Sequence, residues 1–127
     1  MRRSKFDEQS PAFQFYASDW ISDPRRLKMP LESQGAYVLL FSHCWISRLI
    51  EFDFEIMSKM CNCRLEKIQK IWPTIEFMFE KKIINNKEFL ICIEAEDERR
   101  EQDKNRRKRS VAGKKGADAL WNKRKGE

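Results

Sequence analysis

Lys82-Ile-Ile-Asn-Asn-Lys-Glu-Phe-Leu-Ile-Cys-Ile93 breaks the helical pattern of the residues before it and so sets the class of fold. Two β-prone runs flank Asn85-Asn86-Lys87, and asparagine tolerates the positive φ that a tight hairpin turn demands, so a β-hairpin is expected here. Upstream, the apolar period is helical. From about Arg64, the residues Leu65, Ile68, Ile71, Trp72, Ile75 and Phe79 return every three to four positions and turn inward, while Arg64, Lys67, Lys70 and Thr74 form the polar side. Pro73 removes one backbone donor from this helix, which predicts a kink or a break into two pieces. Further back, Asp53 is a natural N-cap for a short helix carrying Ile56, Met57 and Met60 and ending near Asn62. The strongest helical signal runs from Leu31 to Ser47 behind Pro30. Apolar positions 37, 38, 41, 44, 45 and 49 give it a buried stripe, and Glu32 sits near its positive end. Three helices followed by a hairpin is the order of a winged helix, although composition equally allows other small α+β domains.

Outward from that block the sequence loosens. Residues 1–10 are polar and expected to be flexible. Phe13-Gln-Phe-Tyr-Ala-Ser-Asp-Trp20 places aromatics at 13, 15, 16 and 20, which suits a segment lying extended over a core, and Ser22-Asp23-Pro24 offers a cap and first-turn proline for a short helical turn. After the hairpin, Glu96 to Ser110 holds no apolar side chain in fifteen positions. Such a segment cannot bury itself. If helical, it is an exposed rod supported by Glu96→Arg100 and Asp103→Arg107 pairs at i,i+4, each contributing about 0.3 kcal/mol. The 127 residues therefore divide into a flexible N-terminus (1–10), a winged-helix-like α+β domain (11–93), and an extended polar C-terminal helix with a basic arm (94–127).

Charge follows the same division. Residues 1–30 carry 6 basic and 4 acidic groups, residues 31–93 carry 8 and 8, and residues 94–127 carry 12 and 8, within a formal net charge of +6. The globular part is balanced, and the tail contains a step: residues 94–103 have six acids and two arginines, whereas Lys104 to Lys125 has ten basic side chains and one acid, Asp118. A charge step of this kind points to a polyanionic partner. Arg106, Arg107, Lys108, Arg109, Lys114, Lys115, Lys123, Arg124 and Lys125 can neutralise several phosphates without reading bases, and Trp121 can stack on an unpaired base or fill a partner's pocket. Two competing readings stand beside these: the basic tail as a solvated solubility segment, and Leu120-Trp121 docked back on the protein's own core. In a winged helix the third helix faces the major groove and the wing faces the backbone, which makes Arg64, Lys67, Gln69 and Lys70 groove candidates and Lys81, Lys82 and Lys87 wing candidates.

Other chemistries find little support. Gly113 and Gly116 flank two lysines, but the spacing is not G-x-x-x-x-G-K-[ST] and no strand precedes it, so no nucleotide cofactor is expected. Cys61, Cys63, Cys92 and His43 are four possible zinc ligands. Structural zinc more commonly uses C-x₂₋₄-C pairs, and His43 and Cys44 fall in a strongly apolar helix, so no metal is expected. There is one histidine, no nucleophile with an evident base, and Asp53 and Glu55 look like caps, which argues against an enzyme. The N-terminus shows no secretory leader and the longest apolar runs are far short of the ~20 residues of a membrane span, so reduced cysteines and a cytoplasmic location are expected.

Four motifs in order carry a family resemblance: Phe13-Gln-Phe-Tyr-Ala-Ser-Asp-Trp20; Leu31-Glu-Ser-Gln-Gly-Ala-Tyr37 with Cys44-Trp45; Lys70-Ile-Trp-Pro73; and Arg109-Ser-Val-Ala-Gly-Lys-Lys-Gly-Ala-Asp-Ala-Leu-Trp-Asn-Lys123. Together they resemble the YdaU-like family of phage and prophage proteins, nearly throughout from Pro11 onward. The resemblance implies a winged-helix-like fold akin to the N-terminal domains of DnaD-type replisome organisers, and a nucleic-acid role near replication. The sequence departs from the family pattern at Cys61-Asn-Cys63, where relatives tend to show Leu-Gly-Val, and at Leu90-Ile-Cys-Ile-Glu94, which is more apolar than the usual wing. The expected function is a non-catalytic DNA- or RNA-binding protein of phage replication or its regulation. The alternatives are a phage-encoded inhibitor of a host defence ribonucleoprotein, of anti-CRISPR type, and a regulator that dimerises through the long polar helix.

Overall fold

The computed structural model describes residues 11–125, with side chains through residue 121. The expectation for residues 1–10, and the side chains of Lys123, Arg124 and Lys125, lie outside the described residues. In chain order the elements are α1 (Ala17–Ser22), α2 (Pro24–Leu27), α3 (Leu31–Ser47), β1 (Ile50–Glu51), α4 (Phe54–Met60), α5 (Leu65–Ile75), a 3₁₀ turn (Glu76–Met78), β2 (Phe79–Ile84), β3 (Lys87–Cys92) and α6 (Ile93–Lys125). The fold is α+β and winged-helix-like: α3, α4 and α5 make the helical core, β2 and β3 form the wing, and β1 adds to the far edge of β3, giving an antiparallel sheet of order β1-β3-β2.

The wing closes as its sequence demands. Ile84 pairs with Lys87, and the two residues between them, Asn85 and Asn86, have φ of 51° and 65°. Two consecutive left-handed residues are the mark of the turn whose twist matches the flanking strands. Asn86→Val should therefore lower stability by about 1–2 kcal/mol while Asn86→Gly is tolerated, because a branched Cβ collides with the following carbonyl at positive φ. Paired urea midpoints measure the difference.

Asp53 caps α4 as expected, its carboxylate accepting from the backbone N–H groups of Glu55 (2.8 Å) and Ile56 (3.2 Å). Asp23 caps α2 likewise, through the Arg25 N–H at 2.8 Å. The side chains of Leu40, Met57, Ile68, Ile75, Leu90 and Cys92 are fully enclosed, with Tyr37, Trp45 and Trp72 packed around them. Thr74 Oγ1 lies 2.7 Å from Ser33 Oγ and 2.6 Å from the Ile71 carbonyl, tying α5 to α3.

Several expectations are corrected. On α3 the inward stripe is Ser33, Ala36, Tyr37, Leu40, Cys44 and Trp45, while Val38 is exposed. Ala17–Ser22 is helical rather than extended, although Phe13 still lies on the core, 4.6 Å from Phe41 between ring centres. Helix α5 runs through Pro73 without breaking and ends two residues later. Pro73 and Gln69, whose carbonyl loses its helical donor, are both exposed, so water can serve the freed group. Phe79 is buried but belongs to β2.

Helix α6 follows β3 without a loop and spans 33 residues. Its first turns are packed rather than solvated: Ala95 is fully buried, and α6 lies against α3 and β3. The ion pairs along it are Glu96–Arg99, Asp97–Arg100 and Asp103–Arg106, all at i,i+3. Glu96 does not reach Arg100 because it turns toward α3, where Arg48 Nε meets its carboxylate at 3.2 Å.

Burial also determines the state of the thiols. It pushes Cys44 up to about 12 and Cys92 and Cys61 up to about 11. At about pH 8 the enclosed Cys44 and Cys92 are thus protonated, and a thiol titration of native protein should count them only after urea is added.

Candidate nucleic-acid interface

Three groups of cations project from three different elements. On α5, Arg64 occupies the N-cap, and Lys67, Gln69 and Lys70 are exposed on the side away from Ile68, Ile71, Trp72 and Ile75. Lys67 Nζ is 2.7 Å from Glu32 of α3. Both ends of that pair are largely solvated, so it is worth about 1 kcal/mol at most and does not prevent exchange for a phosphate.

On the wing the alternation of strand residues separates the lysines. Lys82 pairs across from Phe89 and Lys87 across from Ile84, on the face away from the core side chains Phe79, Leu90 and Cys92. Lys81 is on the other face, with its ammonium 4.2 Å from the centre of the Phe52 ring, and Phe52 in turn packs on Trp72. Lys81 is therefore partly engaged in holding the base of the wing. At the wing tip Ile83 is 73% exposed.

The third group is on α6. Lys104, Arg106, Arg107, Lys108, Arg109, Lys114 and Lys115 are all exposed, as is every residue from Lys104 to Trp121. Leu120 and Trp121 are 65% and 59% exposed, so they are not docked on the core. Gly113 and Gly116 sit inside the helix rather than in a phosphate-cradling loop, and a Cβ added at either would meet open space.

What holds this helix to the body is Arg99. Its guanidinium donates to the carbonyls of Trp45 (2.9 Å) and Cys44 (3.2 Å) at the C-terminus of α3, and lies 5.1 Å from the Trp45 ring centre. A cation placed on a helix's last carbonyls is favoured by the dipole as well as by the hydrogen bonds. A second tie joins Arg25, Glu94 and Tyr37: the Arg25 guanidinium is 2.5 Å from one Glu94 oxygen, and the Tyr37 hydroxyl donates to the other at 2.8 Å. Burial raises the Tyr37 phenol far above its ordinary range, keeping it a donor, while the Arg25 side chain beside Asp23 holds that carboxyl below its usual value. Neither tie is legible in the sequence, since the partners stand 54 to 69 residues apart.

A cleft of about 670 Å³ opens between the N-terminal segment, α3 and α6, floored by Phe13, Tyr16, Trp20, Tyr37 and Phe41 and rimmed by Asp19, Glu94, Asp97 and Glu98. The rim has the wrong sign for phosphate. Among the described residues no group of three or more His, Cys, Asp or Glu side chains is placed to hold a metal ion, and no helix is long and apolar enough to cross a membrane. The structure thus brings the Lys104–Lys115 cations together along one helix but leaves the α5 and wing candidates on separate elements.

No protein-family model matches the chain, and no curated protein matches it. A solved structure described as the N-terminal domain of a DNA binding protein is similar in fold, with a TM-score of 0.51 and 16% identity over 68% of this chain and 75% of that one.

Proposed function

We propose that the protein is a non-catalytic nucleic-acid-binding protein of phage or prophage replication or regulation, engaging the phosphate backbone mainly through the distal half of α6. The observation that carries this reading is the anchoring of α6. Its acidic first turns are fixed to α3 through Arg99 and Glu96, so seven described cations from Lys104 to Lys115 are exposed along one helix, with Arg106 and Arg109 nearest the N-terminal segment. The likeness in fold to a domain of a DNA-binding protein supports a nucleic-acid partner, and the YdaU-like motifs support the phage setting. Arg64, Lys67 and Lys70 on α5 and Lys82 and Lys87 on the wing add weaker contacts, since each element carries only two or three cations against seven on the described part of distal α6.

Fluorescence anisotropy with a labelled oligonucleotide tests this. Affinity should fall steeply with salt, with log K against log salt sloping at about −4.5 to −6 on a DNA duplex if five to seven phosphates are neutralised. Absence of binding at low salt, or a flat salt dependence, contradicts the proposal.

A further inference from the structure

The arrangement of charge around α6 says which form of nucleic acid it fits. Successive residues of an α-helix are rotated by about 100°, and on that basis the seven cations from Lys104 to Lys115 leave no arc of the helix wider than about 100° without a positive charge. They occupy about 17 Å of axis at 1.5 Å per residue, and all are exposed. A flat anionic surface, such as a lipid headgroup layer, would engage one side and leave the rest unmatched. A lipid surface would also need an apolar face, which this stretch lacks: among residues 104–115 only Val111 and Ala112 are apolar apart from Gly113. A single strand bound along the helix would likewise meet a minority of the cations.

A helix that is cationic all round is matched by a partner that surrounds it with phosphates. The major groove of B-form DNA is about 12 Å wide and accepts a helix about 10–12 Å across, with a phosphate strand on each flank. The corresponding groove of A-form RNA is deep and narrow and does not admit side chains in the same way. Among the described residues the exposed run begins at Lys104 and continues to the end of the described side chains, and the helical backbone continues to Lys125.

We propose, resting on the nucleic-acid reading above, that the distal half of α6 is a major-groove helix for B-form DNA, projected from the winged-helix body as one rigid continuation of its proximal turns. The uninterrupted helix is the essential part: charge alone would serve in any conformation, whereas groove entry requires the cylinder.

The test uses the full chain and one duplex sequence in four forms. These are plain DNA, DNA whose cytosines carry glucosylated hydroxymethyl groups that fill the major groove, plain DNA saturated with a netropsin-type minor-groove ligand, and duplex RNA. Filling the major groove should weaken binding at least about tenfold and the RNA should bind correspondingly worse, while the minor-groove ligand should change affinity less than about twofold. Gly113→Pro keeps every charge but breaks the helix, and should cost about tenfold on plain duplex and little on a single strand. Equal affinity for plain and glucosylated DNA, or a Gly113→Pro variant that binds plain duplex as well as the parent, overturns the groove assignment while leaving phosphate binding intact. Failure to bind any of the four forms overturns the nucleic-acid reading as well.

Discussion

A chain ended after Asp103 should lose nucleic-acid affinity by about a hundredfold or more at ~0.1 M salt, because ten basic side chains leave with the segment and each phosphate contact contributes to a strongly salt-dependent total. The same truncation should change thermal stability little. The ties that fix α6 to the helical core lie upstream of the cut: Ala95 in the core, Glu94 on Arg25 and Tyr37, Glu96 on Arg48, and Arg99 on the carbonyls of α3. Circular dichroism melts and anisotropy titrations of the same preparation separate the two effects. A truncated chain that melts normally and still binds with the parent's affinity would place the interface on α5 and the wing instead.

The largest loss of stability is expected at Trp45. Its side chain is fully buried, its ring centre is 5.6 Å from that of Phe13, and Arg99 lies over it. Trp45→Ala should therefore lower unfolding free energy by about 3–5 kcal/mol, a large share of the roughly 5–15 kcal/mol of an ordinary domain. The damage should spread beyond the cavity, since the ring is the surface on which the N-terminal segment and the α6 anchor meet. Arg99→Ala should cost less, about 1.5–3 kcal/mol for charged hydrogen bonds lost to carbonyls. A urea series across the two variants orders them, and a Trp45→Ala protein as stable as Arg99→Ala would mean the ring is not the common support.

Local chemistry was readable wherever one short segment carries it. The Asn85-Asn86 turn, the Asp53 and Asp23 caps and the α5 stripe each depend on residues a few positions apart, and each is found in the structure. The α3 stripe was harder, because Tyr37 to Phe41 is a run of five apolar residues and periodicity alone cannot select Leu40 over Val38. Phe79 satisfies both a helical step from Ile75 and the first position of a strand, so only the end of α5 decides it. Long-range partners were not readable at all. Nothing near Arg99 in sequence marks it as the residue that closes α3, and nothing in the charged run from Glu94 indicates which acids turn inward. Of the candidate interface, the cations could be named from sequence, but the continuation of one helix through Gly113 and Gly116 could not, since glycine argues against a helix interior.

In the proposed function the nucleic acid meets the protein along the exposed half of α6. A ¹⁵N-resolved NMR titration of the full chain with a short DNA duplex reads this residue by residue. The largest amide shifts are expected from Lys104 to Trp121, smaller ones at Arg64 to Lys70 and Lys82 to Lys87, and none around the acidic cleft at Trp20 and Glu94. Shifts confined to α5 and the wing, with the α6 amides unmoved at saturation, would contradict it.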